Sequence, residues 1–128
     1  VHFEVPNSIA RVTLFRDPVS RALEGPVVEV CAVAKRDLRA RETLDDYGEH
    51  MTYGEAVASE EMSRARLLPE GLVQGCVLRR DIKQDELITY DDVDLPAGRV
   101  ADRLRAEQYE RFRGETWLTE LALAGTPS

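Results

Sequence analysis

The chain carries Val33-Ala-Lys-Arg-Asp-Leu-Arg-Ala-Arg-Glu-Thr-Leu44 and, 44 residues further on, Val77-Leu-Arg-Arg-Asp-Ile-Lys-Gln-Asp-Glu-Leu-Ile88. The two stretches align without gaps. Val33/Val77, Arg36/Arg80, Asp37/Asp81 and Glu42/Glu86 are identical, and Leu38/Ile82, Arg39/Lys83 and Leu44/Ile88 are conservative pairs. Self-similarity at a fixed offset indicates one structural unit used twice. Each copy follows an apolar run, residues 26–34 and 72–78, whose β-branched and small residues bounded by Gly or Pro predict buried strands. Each copy therefore reads as strand, tight turn, short strand. In the first run Val28, Val30, Ala32 and Ala34 share one wholly apolar face, opposite Glu29, Cys31, Val33 and Lys35. The Arg-Asp pair lies where the strand leaves the core. Its expected role is local: Asp accepts backbone hydrogen bonds in the turn, and Arg pairs with that Asp or with a neighbouring acid.

After each copy comes a hydroxyl residue followed three positions later by an acid, Thr52-Tyr-Gly-Glu55 and Thr89-Tyr-Asp-Asp92. This is the capping-box spacing, so a helix is predicted to start at each. The first is expected to run over 53–67, and the second to last a single turn because Pro96 and Gly98 follow. A longer helix is predicted over 99–113, with Val100, Leu104 and Phe112 on one stripe, Tyr109 at its border and Glu107 paired with Arg111. Gly114 ends it. Trp117, Leu118, Leu121 and Leu123 then form an apolar tail suited either to core packing or to docking on another domain or subunit.

With 128 residues, 43% apolar and 32% charged, the chain has the composition of one folded domain. Two cysteines, both inside apolar runs, read as buried thiols rather than a disulfide framework. With no signal-peptide pattern and no membrane-length apolar run, a cytoplasmic location is expected. The net charge of −7 argues against nucleic-acid binding. That charge is unevenly spread. Residues 42–61 hold seven acids and no Lys or Arg, and residues 81–94 hold six acids against Lys83, so the remainder is mildly basic. Arg36, Arg79 and Arg80 belong to that remainder. They are read either as counter-charges to the acidic segments or as an anion-binding face.

The doubled pattern of apolar strand, Arg-Asp-Leu/Ile, Glu-x-Leu/Ile, and then Asp91-Asp-Val93 before Leu95-Pro96, resembles the SAF domain, found in antifreeze-like domains of sialic acid synthases and in flagellar P-ring chaperones. The resemblance implies a mainly β fold with some α (α+β): a β-clip core built on the internal two-fold repeat, plus a C-terminal helix. The chain then divides into a lead (1–25), the SAF-like core (26–98) and a helical segment (99–124), all within one domain. Further motifs flank the core: Phe3-Glu-Val-Pro6, Ser8-Ile-Ala-Arg-Val12, Phe15-Arg-Asp-Pro18, Leu68-Pro-Glu-Gly71 and Leu104-Arg-Ala-Glu-Gln108. Their order resembles the C-terminal region of homoserine-dehydrogenase-like NAD(P)-dependent oxidoreductases, a group that includes enzymes resembling deoxyxylulose-phosphate reductoisomerase in activity. SAF sequences commonly place Gly before the Glu of each copy. Here the residues are Arg41 and Asp85, so the first turn in particular is expected to depart from the family conformation.

No Gly-x-Gly-x-x-Gly or Walker-type loop is present, so NAD(P), implied for the parent enzyme, is expected to be held by a preceding dinucleotide-binding domain of the same polypeptide. Neither metal-ligand spacing nor a nucleophile motif is found, and no catalytic residue is assigned. Tyr53, beside Gly54 and just after an acidic stretch, is open to ligand or subunit contact as well as to capping and packing. Three functions follow. The first is a non-catalytic C-terminal domain of a larger NAD(P)-dependent oxidoreductase, serving assembly, as part of a homo-oligomer, or completing the active site. The second is a free-standing module for a sugar acid or similar anionic small molecule, with Arg36, Arg79 and Arg80 as contacts. The third is the SAF domain of a sugar-acid dehydratase.

Overall fold

The computed structural model describes residues 2–18 and 25–124, with side chains as far as Leu121. The lead is thus seen only in part, and the side chain of Leu123 lies outside the described residues. In chain order the elements are α1 (Val5–Phe15), β1 (Val28–Ala34), β2 (Thr52–Ala58), α2 (Ser59–Arg64), β3 (Val77–Leu78), β4 (Val93–Asp94), α3 (Val100–Arg113) and α4 (Trp117–Ala124). Single 3-10 turns occur at Glu70–Leu72 and Tyr90–Asp92. The described chain is a mixed α and β structure with four helices and two small antiparallel sheets, β1 with β2 and β3 with β4.

The first strand forms where it was predicted, but its partner was read as a helix. Thr52–Ala58 runs antiparallel to β1, from Ala34↔Thr52 to Val28↔Ala58. Pairing satisfies the backbone of both segments at once, and Thr52, Tyr53 and Val57 are residues that suit strands. Gly54 weakens a helix, yet in the strand it has a use. A Cβ there would come within 2.5 Å of Val30 Cγ1, so glycine lets the valine lie across the neighbouring strand. The helical stretch shrinks to α2. The second Thr-Tyr motif does cap a single turn: Thr89 Oγ1 and its amide lie 2.7 and 2.9 Å from Asp92 Oδ2. Burial along β1 follows position rather than face. Cys31, Ala32, Val33 and Ala34 are all buried, whereas Val28 and Val30, predicted to face the core with Ala32 and Ala34, are exposed. The reason is that the inner half of the strand is covered on both sides and the outer half on one, where Glu29 packs against Arg105 and Ser59 while Val28 and Val30 face out. Both cysteines are buried and free.

The matching turns lie against one another and exchange contacts. Leu38 and Ile82 donate their amides to each other's carbonyls at 2.8 and 3.0 Å. Around them three further pairs of bonds repeat at an offset of 44 residues. Ala34 N–H binds Glu86 O as Leu78 N–H binds Glu42 O, and Asp85 N–H binds Ala34 O as Arg41 N–H binds Leu78 O. Farther out, Ile88 N–H binds Ala32 O as Leu44 N–H binds Cys76 O. The side chains follow suit. Asp37 accepts from the Gln84 amide (3.0 Å) and Lys83 Nζ (3.0 Å), while Asp81 accepts from the Ala40 amide (2.8 Å) and Arg39 Nη1 (3.1 Å). This corrects the local role expected for the two aspartates: each satisfies the other copy's turn. The local work falls to Glu42 and Glu86, which accept from the amides of Arg39 and Lys83 at 2.6 and 2.9 Å. Arg41 and Asp85 take φ of 75° and 64°, so both turns adopt the left-handed conformation without glycine, contrary to the departure expected at the first.

The core gathers Leu38, Leu44, Leu68, Val73, Leu78, Ile82, Ile88, Tyr90 and Val93, with Ala106, Tyr109 and Leu118 from the C-terminal helices. Helix α3 forms as predicted but presents a different face. Asp102, Ala106 and Tyr109, spaced i, i+4, i+7, turn inward, and Val100, Leu104 and Phe112 are 56, 56 and 42% exposed. Two polar anchors fix this rotation. Arg99 makes a bidentate pair with Asp102 (2.7 and 2.8 Å) and donates to the carbonyls of Leu72 and Gln74, tying the helix start to the core loop. Arg105, at 11% side-chain exposure, pairs with the equally buried Glu29 of β1 and lies over the Tyr109 ring. Instead of Glu107 with Arg111, the surface pair on this helix is Arg103 with Glu107, at 3.9 Å. Gly114, at φ 69°, closes α3 and redirects the chain into α4, where Trp117 meets Tyr90 edge-on and Tyr109 at a tilt.

Candidate functional site

The positions singled out from sequence fall on the rim of the paired turns. Arg36 bonds Glu42 (2.8 Å) and the Asp37 carbonyl. Arg80 bonds Glu86 (2.8 Å) and Asp92 (2.5 Å), and Arg79 bonds Asp94 (2.8 Å). Tyr53 hydroxyl donates to Asp85 Oδ1 at 3.2 Å. The electrostatics agree with this pairing. The Arg36 guanidinium and the Arg39 amide hold the Glu42 carboxyl below its ordinary range. Burial alone would raise the Asp92 carboxyl, but the donors Arg80 and Thr89 outweigh it and bring it down. All three arginines are therefore engaged by carboxylates of their own chain, and no hydrogen bond or ion pair links Tyr53 with them among the described residues.

A second cluster was not assembled by sequence reasoning. Where α2 ends, Arg66 takes φ 52°, a left-handed position that its carbonyl's bond from the Tyr90 amide (2.8 Å) helps to hold. Its guanidinium lies 4.6 Å above the Trp117 ring and 3.2 Å from Asp91, and its Nε is buried with no hydrogen-bond partner. Arg113, the last residue of α3, donates to Ser59 Oγ at 2.8 Å. Glu115 accepts from Trp117 Nε1 (2.9 Å) and from Ser63 Oγ, and these donors, with the nearby charge of Arg113, outweigh burial and keep its carboxyl below the usual range. Together Glu60, Ser63, Arg64, Arg66, Arg113, Glu115 and Trp117 line an open cleft of about 470 Å³. Arg64 and Arg66 stood in the basic remainder of the sequence, but only the turn at Gly114 brings Arg113 and Trp117 beside them.

The third feature is apolar. No residue of α1 is buried, and Val5, Ile9, Val12 and Phe15 form an uncovered stripe along it. Exposed Val28 and Val30 continue onto Ala56 and Ala58 across the outer half of the β1–β2 ribbon, and α3 turns Val100, Leu104 and Phe112 outward.

The described residues contain no parallel βαβ unit of the kind that holds a dinucleotide in doubly wound folds: both sheets are antiparallel, and β1 leads into the paired turns rather than a helix. No helix among the described residues is long and apolar enough to cross a membrane. A scan of protein-family models and a search of curated proteins each returned no match to this chain.

Proposed function

We propose that this chain is a β-clip domain of the SAF type, built on a two-fold repeat, that serves as the non-catalytic C-terminal part of a larger NAD(P)-dependent oxidoreductase. The reciprocal bonding of the two 44-spaced turns supports the repeat. The parent assignment rests on the order of the motifs flanking it. The observation that carries the domain role is the uncovered apolar surface of α1 and the outer half of the β1–β2 ribbon; α1 and β1 precede both turns in the chain, which supports contact with a preceding domain. The dinucleotide belongs to that preceding domain. The anion-binding alternative at Arg36, Arg79 and Arg80 fits less well, because each guanidinium would have to leave a carboxylate to meet a ligand.

The coding sequence upstream of Val1 tests the reading. An open frame that continues into a strand, a glycine-rich turn and a helix is the expected result. A stop codon a few residues upstream overturns it. In a longer polypeptide, Val30→Asp should loosen the attachment, seen as faster proteolytic release of an intact C-terminal fragment.

A further inference from the structure

We infer that the cleft between α2 and the α3–α4 corner is an oxyanion site, taking the phosphate or carboxylate group of a small ligand. The cleft is formed by this chain alone, whatever polypeptide carries it. Three guanidiniums, Arg64, Arg66 and Arg113, border the cleft against two carboxylates, Glu60 and Glu115. Glu115 is turned into the wall by the Trp117 and Ser63 donors, which satisfies its charge from the protein side. Arg64 rests on Glu61 and Arg66 on Asp91.

Arg113 differs from them. Its hydrogen-bond partner is the Ser59 hydroxyl, which itself donates to Glu29, and although its charge is felt by Glu115, no carboxylate forms an ion pair with it among the described residues. A guanidinium has five N–H donors in a fixed fork, so most of those on Arg113 are available.

Arg66 supplies a planar, immobilised wall. It is stacked on Trp117, and the left-handed backbone at its own position fixes its approach. The volume of about 470 Å³ suits a small ligand rather than a bare ion, and the wall chemistry selects a planar or tetrahedral oxyanion that takes paired N–H donors.

Titration calorimetry of the intact chain with inorganic pyrophosphate and with malonate separates the two sources of the oxyanion, with sodium chloride at matched ionic strength as the control. Saturable binding of at least one of them is expected, with affinity falling about tenfold or more in Arg113→Gln. Arg64→Gln serves as the second variant, on an exposed side chain whose loss leaves the core untouched. Arg36→Gln and Arg79→Gln should bind as the parent chain does. The proposal is overturned by heats no larger than those of chloride. It is also overturned by binding that survives Arg113→Gln and Arg64→Gln, or by binding lost in the Arg36 and Arg79 variants instead.

Discussion

Arg41 and Asp85 hold corresponding places in the two turns, each in left-handed backbone, and each gives its amide to the other copy's strand end. The left-handed region costs an L-residue roughly 1–2 kcal/mol through Cβ contacts, and Asp less than Arg. No hydrogen bond or ion pair from the Arg41 side chain offsets this cost among the described residues, whereas Asp85 receives the Tyr53 hydroxyl. Arg41→Gly should therefore raise the unfolding free energy by roughly 0.5–1 kcal/mol after allowing for glycine's freer unfolded state. Asp85→Gly should gain less or nothing, and urea melts of the two variants check the order. Glu70 is a second residue under strain, of an electrostatic kind. It is 6% exposed, accepts from the Gly48 amide and Thr52 Oγ1 through one oxygen, and leaves the other buried without a partner. Burial pushes its carboxyl above the ordinary 4.5. A folded-state value above the unfolded one means that ionised Glu70 weakens the fold at neutral pH. That cost vanishes as pH falls towards 4.5. Glu70→Gln should thus raise the thermal midpoint at pH 7, with the gain shrinking as pH falls through this window. Asp92 works in the opposite sense. Its lowered carboxyl stabilises the fold above the unfolded value of 3.8 and loses that contribution as pH falls through the depressed folded one.

At the scale of elements, sequence pattern located β1, the single turn at Tyr90–Asp92 and α3, and it failed where two signals competed. Thr52 and Thr89 begin nearly the same four-residue motif. One became a strand because β1 lay beside it in need of a partner, and the other a turn because the chain had to leave the core there. Four residues cannot encode that choice. The rotation of α3 was equally hidden, since its apolar stripe faces outward and its inward side is set by the bonds of Arg99 to the Leu72 and Gln74 carbonyls and by the Glu29–Arg105 pair, contacts between residues far apart in the chain. The candidate site shared this limit. The arginines were visible in the sequence, but which of them carboxylates engage depends on contacts as distant as 12 to 54 residues, from Arg80–Asp92 to Arg113–Ser59. The Glu29–Arg105 pair offers a direct test of how α3 is held. Removing one member strands the other charge in the interior, so Glu29→Gln should cost about 3 kcal/mol in denaturant unfolding. Glu55→Gln, on an exposed position of the next strand, should change stability by less than about 0.5 kcal/mol. Replacing both partners together, Glu29→Leu with Arg105→Met, should recover most of the loss, which separates a stranded charge from mere loss of packing.

For the whole molecule, stability and association reside in different parts of the chain. The core draws on residues 31 to 118, centred on the paired turns, whereas α1 contributes no buried residue. No helix was expected in the lead, although Val5, Ile9 and Val12 lie at i, i+4 and i+7, with Pro6 in the first helical turn. What spacing could not tell is that the stripe would find no cover in the described fold, with Ile9 60% and Phe15 75% exposed. An amphipathic helix this short is marginal in water without a surface to pack on, so its apolar face is selected by what it meets outside the described fold. Deleting residues 1–17 should therefore leave the cooperative unfolding of the rest within about 0.5 kcal/mol, because surface changes away from the core rarely exceed that range. The same deletion should sharply reduce binding of a hydrophobic dye and any self-association seen on sizing. A loss of several kcal/mol would instead mean that α1 packs on the core in solution, and the apolar ribbon would then be its seat rather than a surface for a preceding domain.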